Sequence, residues 1–294
     1  MEPFAGFVVG QRMDTTNAPL EQALVRLSDG HMMPQLGYGT WQVTDGTAGL
    51  VSDAIKAGYR SIDTAAAYKN ETQVGEGIAQ SGIARDQLFV TTKLWNDDQG
   101  YDSAFEACAA SLDKLGLDHV DLYLMHWPVP KRDLYVESWK AMIALQEQGK
   151  VRSIGVSNFL PEHLDRIVAE TGVKPVVNQI ELHPRFQQRD VHDYHARHGI
   201  QIEAWSPLGR GKILDHPTIE GIAKKHDCSP VQIVLRWHLD QGLVTIPKAS
   251  DRGHMVDNLS IGGFSLDEED MAAIAKMDAA DGRTGPDPKT FITM

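Results

Sequence analysis

From residue 36 onward the chain alternates short β-branched, apolar runs with longer segments whose apolar positions recur every three or four residues. A period near two marks a strand and one near 3.6 an amphipathic helix, so this alternation predicts parallel βαβ units rather than separate β and α domains. The predicted strands are Leu36–Thr40, Arg60–Thr64, Leu88–Lys93, Val120–His126, Arg152–Val156, Val176–Ile180, Gln201–Trp205 and Val244–Pro247. Helical spacing fills the gaps at Thr47–Ala57, Ala104–Leu115, Glu137–Gln148, Pro161–Glu170, Asp190–His198 and Ser229–Asp240. Ser229-Pro230 is a helix-start signal, a capping hydroxyl followed by proline at the first helical position. Two more helical patterns, around Met255 and Glu268–Lys276, follow the eighth strand.

Ahead of the first strand, Val25-Arg26-Leu27 and Met32-Met33 flank the turn triplet Ser28-Asp29-Gly30, which predicts a hairpin plugging the amino-terminal end of a barrel. No linker, low-complexity tract or solenoid repeat interrupts the remainder. The expected architecture is an α/β (β/α)8 TIM barrel with an N-terminal β-hairpin cap and extra C-terminal helices. Residues 1–24 form an irregular extension and residues 25–294 a single barrel. The 294 residues suit a fold that commonly needs about 250.

Composition narrows the function. With 42% hydrophobic and 23% charged residues the chain can bury a large core. A formal charge of −12 without a dense Lys/Arg run argues against nucleic acid, whose binding needs a basic face. No apolar run reaches the roughly 18 residues that span a bilayer, and Met1–Arg26 lacks a secretory signal, so no membrane partner is expected. Cys108 and Cys228 lack metal-ligand spacing, and Cys108 sits in an Ala-rich helical stretch as a buried thiol; a reducing, cytoplasmic setting without a metal follows.

In such a barrel, chemistry gathers at the carboxyl ends of the strands. Strand two ends in Asp63 with Tyr68 just beyond, strand three in Lys93, strand four in His126. Together these make a tunable proton donor. Tyr titrates near about 10, a neighbouring Lys⁺ stabilises its anion, a His assists proton delivery, and Asp63 keeps Lys93 charged in a half-buried mouth. Singly, each has a plain structural reading as a cap, a satisfied polar group or an ion pair.

Gly58-Tyr59-Arg60-Ser61-Ile62-Asp63-Thr64-Ala65, with Tyr68 beyond, resembles the aldo-keto reductase signature. Asp121–Pro128, Ile154–Phe159, Val177–Pro184 and Ile246–Lys248 resemble further motifs in the family's order, over roughly residues 25–280. Thr92–Asp97 and Val234–His238 make the chain most similar to the bacterial 2,5-diketo-D-gluconic acid reductases. The resemblance implies reduction of small carbonyl compounds (α-keto compounds, diketones, keto-sugars, aldehydes) by NADPH. Asp63, Tyr68, Lys93 and His126 form its catalytic group, with Tyr68 the general acid. It also implies a monomer.

No G-x-G-x-x-G precedes a helix; Gly37-Tyr38-Gly39 and Gly75-Glu76-Gly77 do not fit, which disfavours a Rossmann site. By resemblance Ser157, Asn158 and Gln179 hold the nicotinamide, with Gly39 and Thr40 nearby, and Trp205 stacks on it. Ser206 and Leu208 belong to a pyrophosphate loop, and Lys248 meets the adenosine 2′-phosphate with Ser250, His254 and Asn258 alongside. The family usually has Arg where this chain has His254, which admits some NADH use because neutral His lacks a fixed cationic fork. Trp41, Trp95 and Trp127 line the substrate mouth. Arg210 and Lys212 read as a solvated loop, and Gly282–Met294 as a tail that in the family contributes to substrate choice.

Two rival functions remain. An NADPH-binding regulatory or structural barrel would bind the cofactor with little turnover. A metal-dependent barrel hydrolase would need clustered His/Asp/Glu ligands, for which only His126 and Asp63 qualify.

Overall fold

The computed structural model describes residues 23–292. An antiparallel hairpin of β1 (Leu24–Arg26) and β2 (Met32–Pro34) opens it, with Val25 opposite Met33. Gly30 turns the chain at φ 95°, a backbone that side chains rarely adopt, and its N–H donates to Leu27 O at 3.0 Å. The expected N-terminal extension lies outside the described residues up to residue 22, and Leu24 already belongs to β1.

Eight parallel strands pair in sequence order: β3 (Tyr38–Gly39), β4 (Ser61–Asp63), β5 (Phe89–Leu94), β6 (Val120–Met125), β7 (Val151–Ser157), β8 (Val177–Glu181), β9 (Gln201–Trp205) and β10 (Val244–Thr245). The first and last meet through a parallel bridge between Leu36 and Thr245, with Gly37 N donating to Thr245 O at 2.9 Å and Thr245 N to Gln35 O at 2.8 Å. The sheet is therefore a closed barrel. Each strand lies where the alternation predicts it, its ends shifted by at most two residues. β10 stops before Pro247, which has no N–H to continue the ladder.

The helices are α1 (Thr47–Ala57), α2 (Glu71–Ser81), α3 (Tyr101–Leu115), α4 (Tyr135–Glu147), α5 (Pro161–Thr171), α6 (Arg189–His198), α7 (Pro217–His226), α8 (Pro230–Asp240), α9 (Arg252–Leu259) and α10 (Glu268–Ala275). The start signal at Ser229 is realised as a reciprocal cap between Ser229 and Gln232. Two helices, α2 and α7, are absent from the pattern-based reading. In α2 the reason is Gly75 and Gly77, which lower helix propensity. A Cβ at Gly75 would stand 2.2 Å from Leu115 O, and one at Gly77 2.5 Å from Ala48 O. These glycines let α1, α2 and α3 pack closely. The apolar stripe of α7 is short, and it is buried against Ile274 and Met277, far along the chain.

Inside the barrel, side chains are layered by height. Phe89, Leu122, Val177 and Val244 form an apolar lower layer joined by Leu27 and Met33, so the hairpin does plug the amino-terminal end. Above it the interior turns polar, with Asp63, Lys93, Gln179 and Glu203 all buried.

Outside the barrel, His195 on α6 is 1% exposed. Its Nδ1 lies 2.6 Å from Val191 O and its Nε2 2.8 Å from Asn178 Nδ2, an arrangement that suits only neutral imidazole, donating at Nδ1 and accepting at Nε2. Burial pushes its pKa down to about 4. The unfolded chain takes up this proton near about 6.5, so the stability His195 confers is complete above that pH and is lost as pH falls toward about 4. His195→Gln is expected to flatten the Tm-versus-pH slope in that window, by roughly 5–10 °C across it, measured by calorimetry. An unchanged slope would assign acid lability to other groups.

Candidate active site

Asp63 closes β4, Lys93 is the penultimate residue of β5 and His126 follows β6, while Tyr68 ends a single helical turn, Ala66–Tyr68. The Lys93 ammonium donates to Asp63 Oδ1 at 2.6 Å, to Thr64 O at 2.8 Å and to the Tyr68 hydroxyl at 3.4 Å. The His126 ring meets Tyr68 edge-on at 5.8 Å and Trp95 at 5.2 Å. All four residues expected from the strand ends are thus brought together. Lys93 is wholly buried and its three N–H groups are matched to three oxygens, so its charge is compensated.

Burial dominates the electrostatics. Burial by itself would lower the Lys93 pKa, but Asp63 and Tyr68 outweigh it and the ammonium is held above its ordinary value. Burial raises Tyr68 more than Lys93 lowers it, so the phenol stays protonated through neutral pH. The sequence argument foresaw Lys93 lowering Tyr68; the effect is present, but desolvation is larger. His126 is depressed well below its usual value, by burial and then by Lys93, and is neutral.

Beneath this group lies a residue that strand-end reasoning missed. Gln179 Nε2 donates to Asp63 Oδ2 and to Glu203 Oε2, both at 2.8 Å. Glu203 is fully buried, and burial followed by the Asp63 charge pushes its carboxyl up to about 8. A signal existed: Gln201, Glu203 and Trp205 alternate on one face of β9, placing a charged residue inside the barrel.

The mouth is a cavity of about 900 Å³. Of the residues expected to hold cofactor, Gly39, Ser157, Asn158, Gln179, Trp205, Ser206, Leu208 and Lys248 line it. Trp41, Trp95 and Trp127 line it as expected. Ser157 Oγ donates to Gln179 O at 2.8 Å, and Asn158 joins His126 O at 3.0 Å to Trp205 Nε1 at 2.8 Å. Asn158 and Ser206 hold φ of 62° and 48°, left-handed backbone at the rim.

The remaining expected cofactor residues do not line the cavity. Thr40 is buried and donates to Asp63 O at 3.0 Å, so it braces the strand end. Asn258 is buried against the Tyr59 hydroxyl. Ser250 is exposed, and exposed His254 pairs with Asp251 at the start of α9. Arg210 and Lys212 are exposed, as expected of a solvated loop, and Arg210 also stands 5.2 Å over the Trp41 ring and lines the cavity.

Four tail residues also line it: Thr284, Gly285, Pro286 and Phe291. The Glu181 carboxylate holds this segment, accepting from Thr284 N at 2.7 Å, from the Thr284 hydroxyl and from Gly285 N at 3.0 Å. Farther on, Phe291 packs on Trp127 at 4.3 Å and Asn96 donates to Ile292 O at 3.1 Å. The tail signal was weak because its partners, Glu181, Trp127 and Asn96, lie far back along the chain.

The sequence profile of the Aldo/keto reductase family matches residues 35–279, most of the chain. The chain belongs to the aldo/keto reductase family. It is 51% identical over 271 residues to methylglyoxal reductase DkgA of Escherichia coli (strain K12), covering 91% of this chain and 98% of that protein. An aldo-keto reductase of Mycobacterium sp. (strain JLS) is 50% identical over 269 residues, covering 91% and 97%. Among solved structures, the Gox0644 D53A mutant in complex with NADPH superposes with TM-score 0.89 at 49% identity, covering 92% of this chain and 99% of that one. In this aldo/keto reductase the matched span includes β3 to β10, hence every strand end described above. Thr284–Phe291, which walls the mouth, lies beyond it.

Proposed function

We propose that this aldo/keto reductase reduces small carbonyl compounds with NADPH, with Tyr68 as general acid. The observation that carries the reading is the Lys93 ammonium set between Asp63 and the Tyr68 hydroxyl at the barrel mouth. The residues fit a nicotinamide dinucleotide. The cavity is lined by Tyr68 and Lys248, carries the cations Lys248 and Arg210, and offers the flat ring of Trp205 beside an uncommitted Gln179 oxygen.

When bound, NADPH supplies a hydride to the carbonyl carbon. Tyr68 donates its proton to the carbonyl oxygen as charge builds there. Lys93 lies against that hydroxyl and stabilises the phenolate left behind, Asp63 keeps Lys93 charged, and neutral His126 offers a hydrogen-bonding edge beside the same oxygen. Trp95, Trp127 and Phe291 wall the site with apolar rings, which favours small dicarbonyls and aldehydes over charged polymers. Methylglyoxal, named for the E. coli relative, is a natural first substrate.

We further take residues 25–294 as one catalytic barrel acting as a monomer in a reducing cytoplasm; the free thiols of buried Cys108 and partly exposed Cys228 support that setting. The test is NADPH oxidation against methylglyoxal, α-diketones, keto-sugars and aldehydes. NADPH binding without turnover on the whole panel would favour a regulatory barrel instead. His254, six positions past Lys248 in the sequence, lacks a cationic fork, so His254→Arg is expected to raise the NADPH-to-NADH preference about tenfold in kcat/KM. An unaltered ratio would show that α9 does not face the 2′-phosphate.

A further inference from the structure

The mechanism above makes no use of Glu203, yet it is a carboxyl with no solvent exposure in the barrel's polar layer. Burying such a group is costly unless it serves a partner. Its one hydrogen-bonded oxygen, Oε2, accepts from Gln179, and its Oε1 has no partner. Gln179 gives its two amide protons to two carboxyl oxygens on opposite sides, Asp63 Oδ2 on β4 and Glu203 Oε2 on β9, both at 2.8 Å. Only nitrogen can serve two acceptors, so the amide is locked in one orientation. Its oxygen is then the end left for a donor in the cavity that Gln179 lines.

We propose that Glu203 is a positioning residue that, through Gln179, presents an amide oxygen to the cavity and so selects a nicotinamide whose carboxamide N–H₂ donates to it. With Asp63 alone, the amide keeps one anchor and can swing about it. With both, the acceptor is preset before the cofactor arrives, and the ordering cost on binding is lower. The neighbours support this. Asp63 is already committed to Lys93 through its other oxygen, so Asp63 alone does not define the plane of the Gln179 amide. Ser157 Oγ, next to Gln179 across the β7–β8 pairing, donates to the Gln179 backbone carbonyl and leaves the side chain to the two carboxyl groups. Burial and then the Asp63 charge raise the Glu203 carboxyl to about 8, so at neutral pH it serves Gln179 through the acceptor oxygen Oε2 of a largely neutral carboxyl.

This inference rests on the proposed use of a nicotinamide cofactor, and the experiment separates the two. Tryptophan quenching would give Kd for NADP⁺ and for its 3-acetylpyridine analogue, which has no carboxamide N–H, with wild type, Glu203→Met and Glu203→Gln. Met matches Glu in length but accepts nothing useful, so NADP⁺ binding should weaken about fivefold to tenfold, one amide hydrogen bond, while analogue binding is unchanged. Glu203→Gln keeps an acceptor oxygen and should retain wild-type discrimination. If Glu203→Met does not fold, Glu203→Thr, too short to reach the amide, should show the same selective loss. Equal weakening of both ligands, or no change in either, would overturn the role of Glu203. Absence of NADP⁺ binding to the wild type would instead overturn the cofactor reading.

Discussion

Tyr68→Phe is expected to lower kcat for carbonyl reduction by about a thousandfold while leaving the Kd for NADPH within about twofold, because only the acid proton is removed. The phenol lies 3.4 Å from the Lys93 ammonium and its ring meets His126 edge-on, so the phenyl ring fills the same space without disturbing the Lys93–Asp63 pair. Burial holds the Tyr68 proton above the ordinary tyrosine range despite Lys93. The acid form is the active one for reduction. Its contribution to kcat is therefore flat through neutral pH and declines only as pH rises past about 10. A Tyr68→Phe protein with normal turnover would remove Tyr68 from the chemistry, as single-turnover kinetics with bound NADPH would reveal.

Asp63→Asn should be strongly destabilising. Lys93 has no exposed surface, and its ammonium is kept charged chiefly by Asp63. Breaking a buried pair by neutralising one partner costs about 3–5 kcal/mol, or roughly 10 °C in Tm for a chain of this size. Burial would then dominate at Lys93, its pKa would fall, and kcat would drop along with stability. The discriminating protein is the double variant Asp63→Asn with Lys93→Met, which no longer buries an unpaired charge. It should recover part of the lost Tm yet remain inactive. If Asp63→Asn melts like wild type, the pair is not the internal brace that its geometry indicates.

Legibility from sequence differed by kind of feature. The strands were readable because β-rich runs and amphipathic helices alternate with different periods, and each lies within two residues of its expected ends. The four residues around Tyr68 were readable because each lies at or just past the end of a strand. α2 was hidden by Gly75 and Gly77, which weaken a helix locally but are required where Leu115 O and Ala48 O press against it. The same glycines, considered and rejected as a nucleotide loop, serve helix packing. Motif register placed Thr40 and Asn258 with the cofactor; their contacts with Asp63 O and Tyr59 carry no local signal along the chain. The contact of exposed Arg210 with Trp41 was not legible because the two lie far apart along the chain.

By itself, the sequence determined the class of fold, the order of its strands and which polar side chains stand at the strand ends, since periodicity and strand-end residue type are local properties written along the chain. Tertiary structure alone decided which of those ends meet, that burial outweighs Lys93 at Tyr68, that Glu203 and Asp63 share one amide, and that a tail anchored on Glu181 walls the mouth. These depend on distances across a closed barrel and on the exclusion of water. Neither quantity exists until the eighth strand has joined the first.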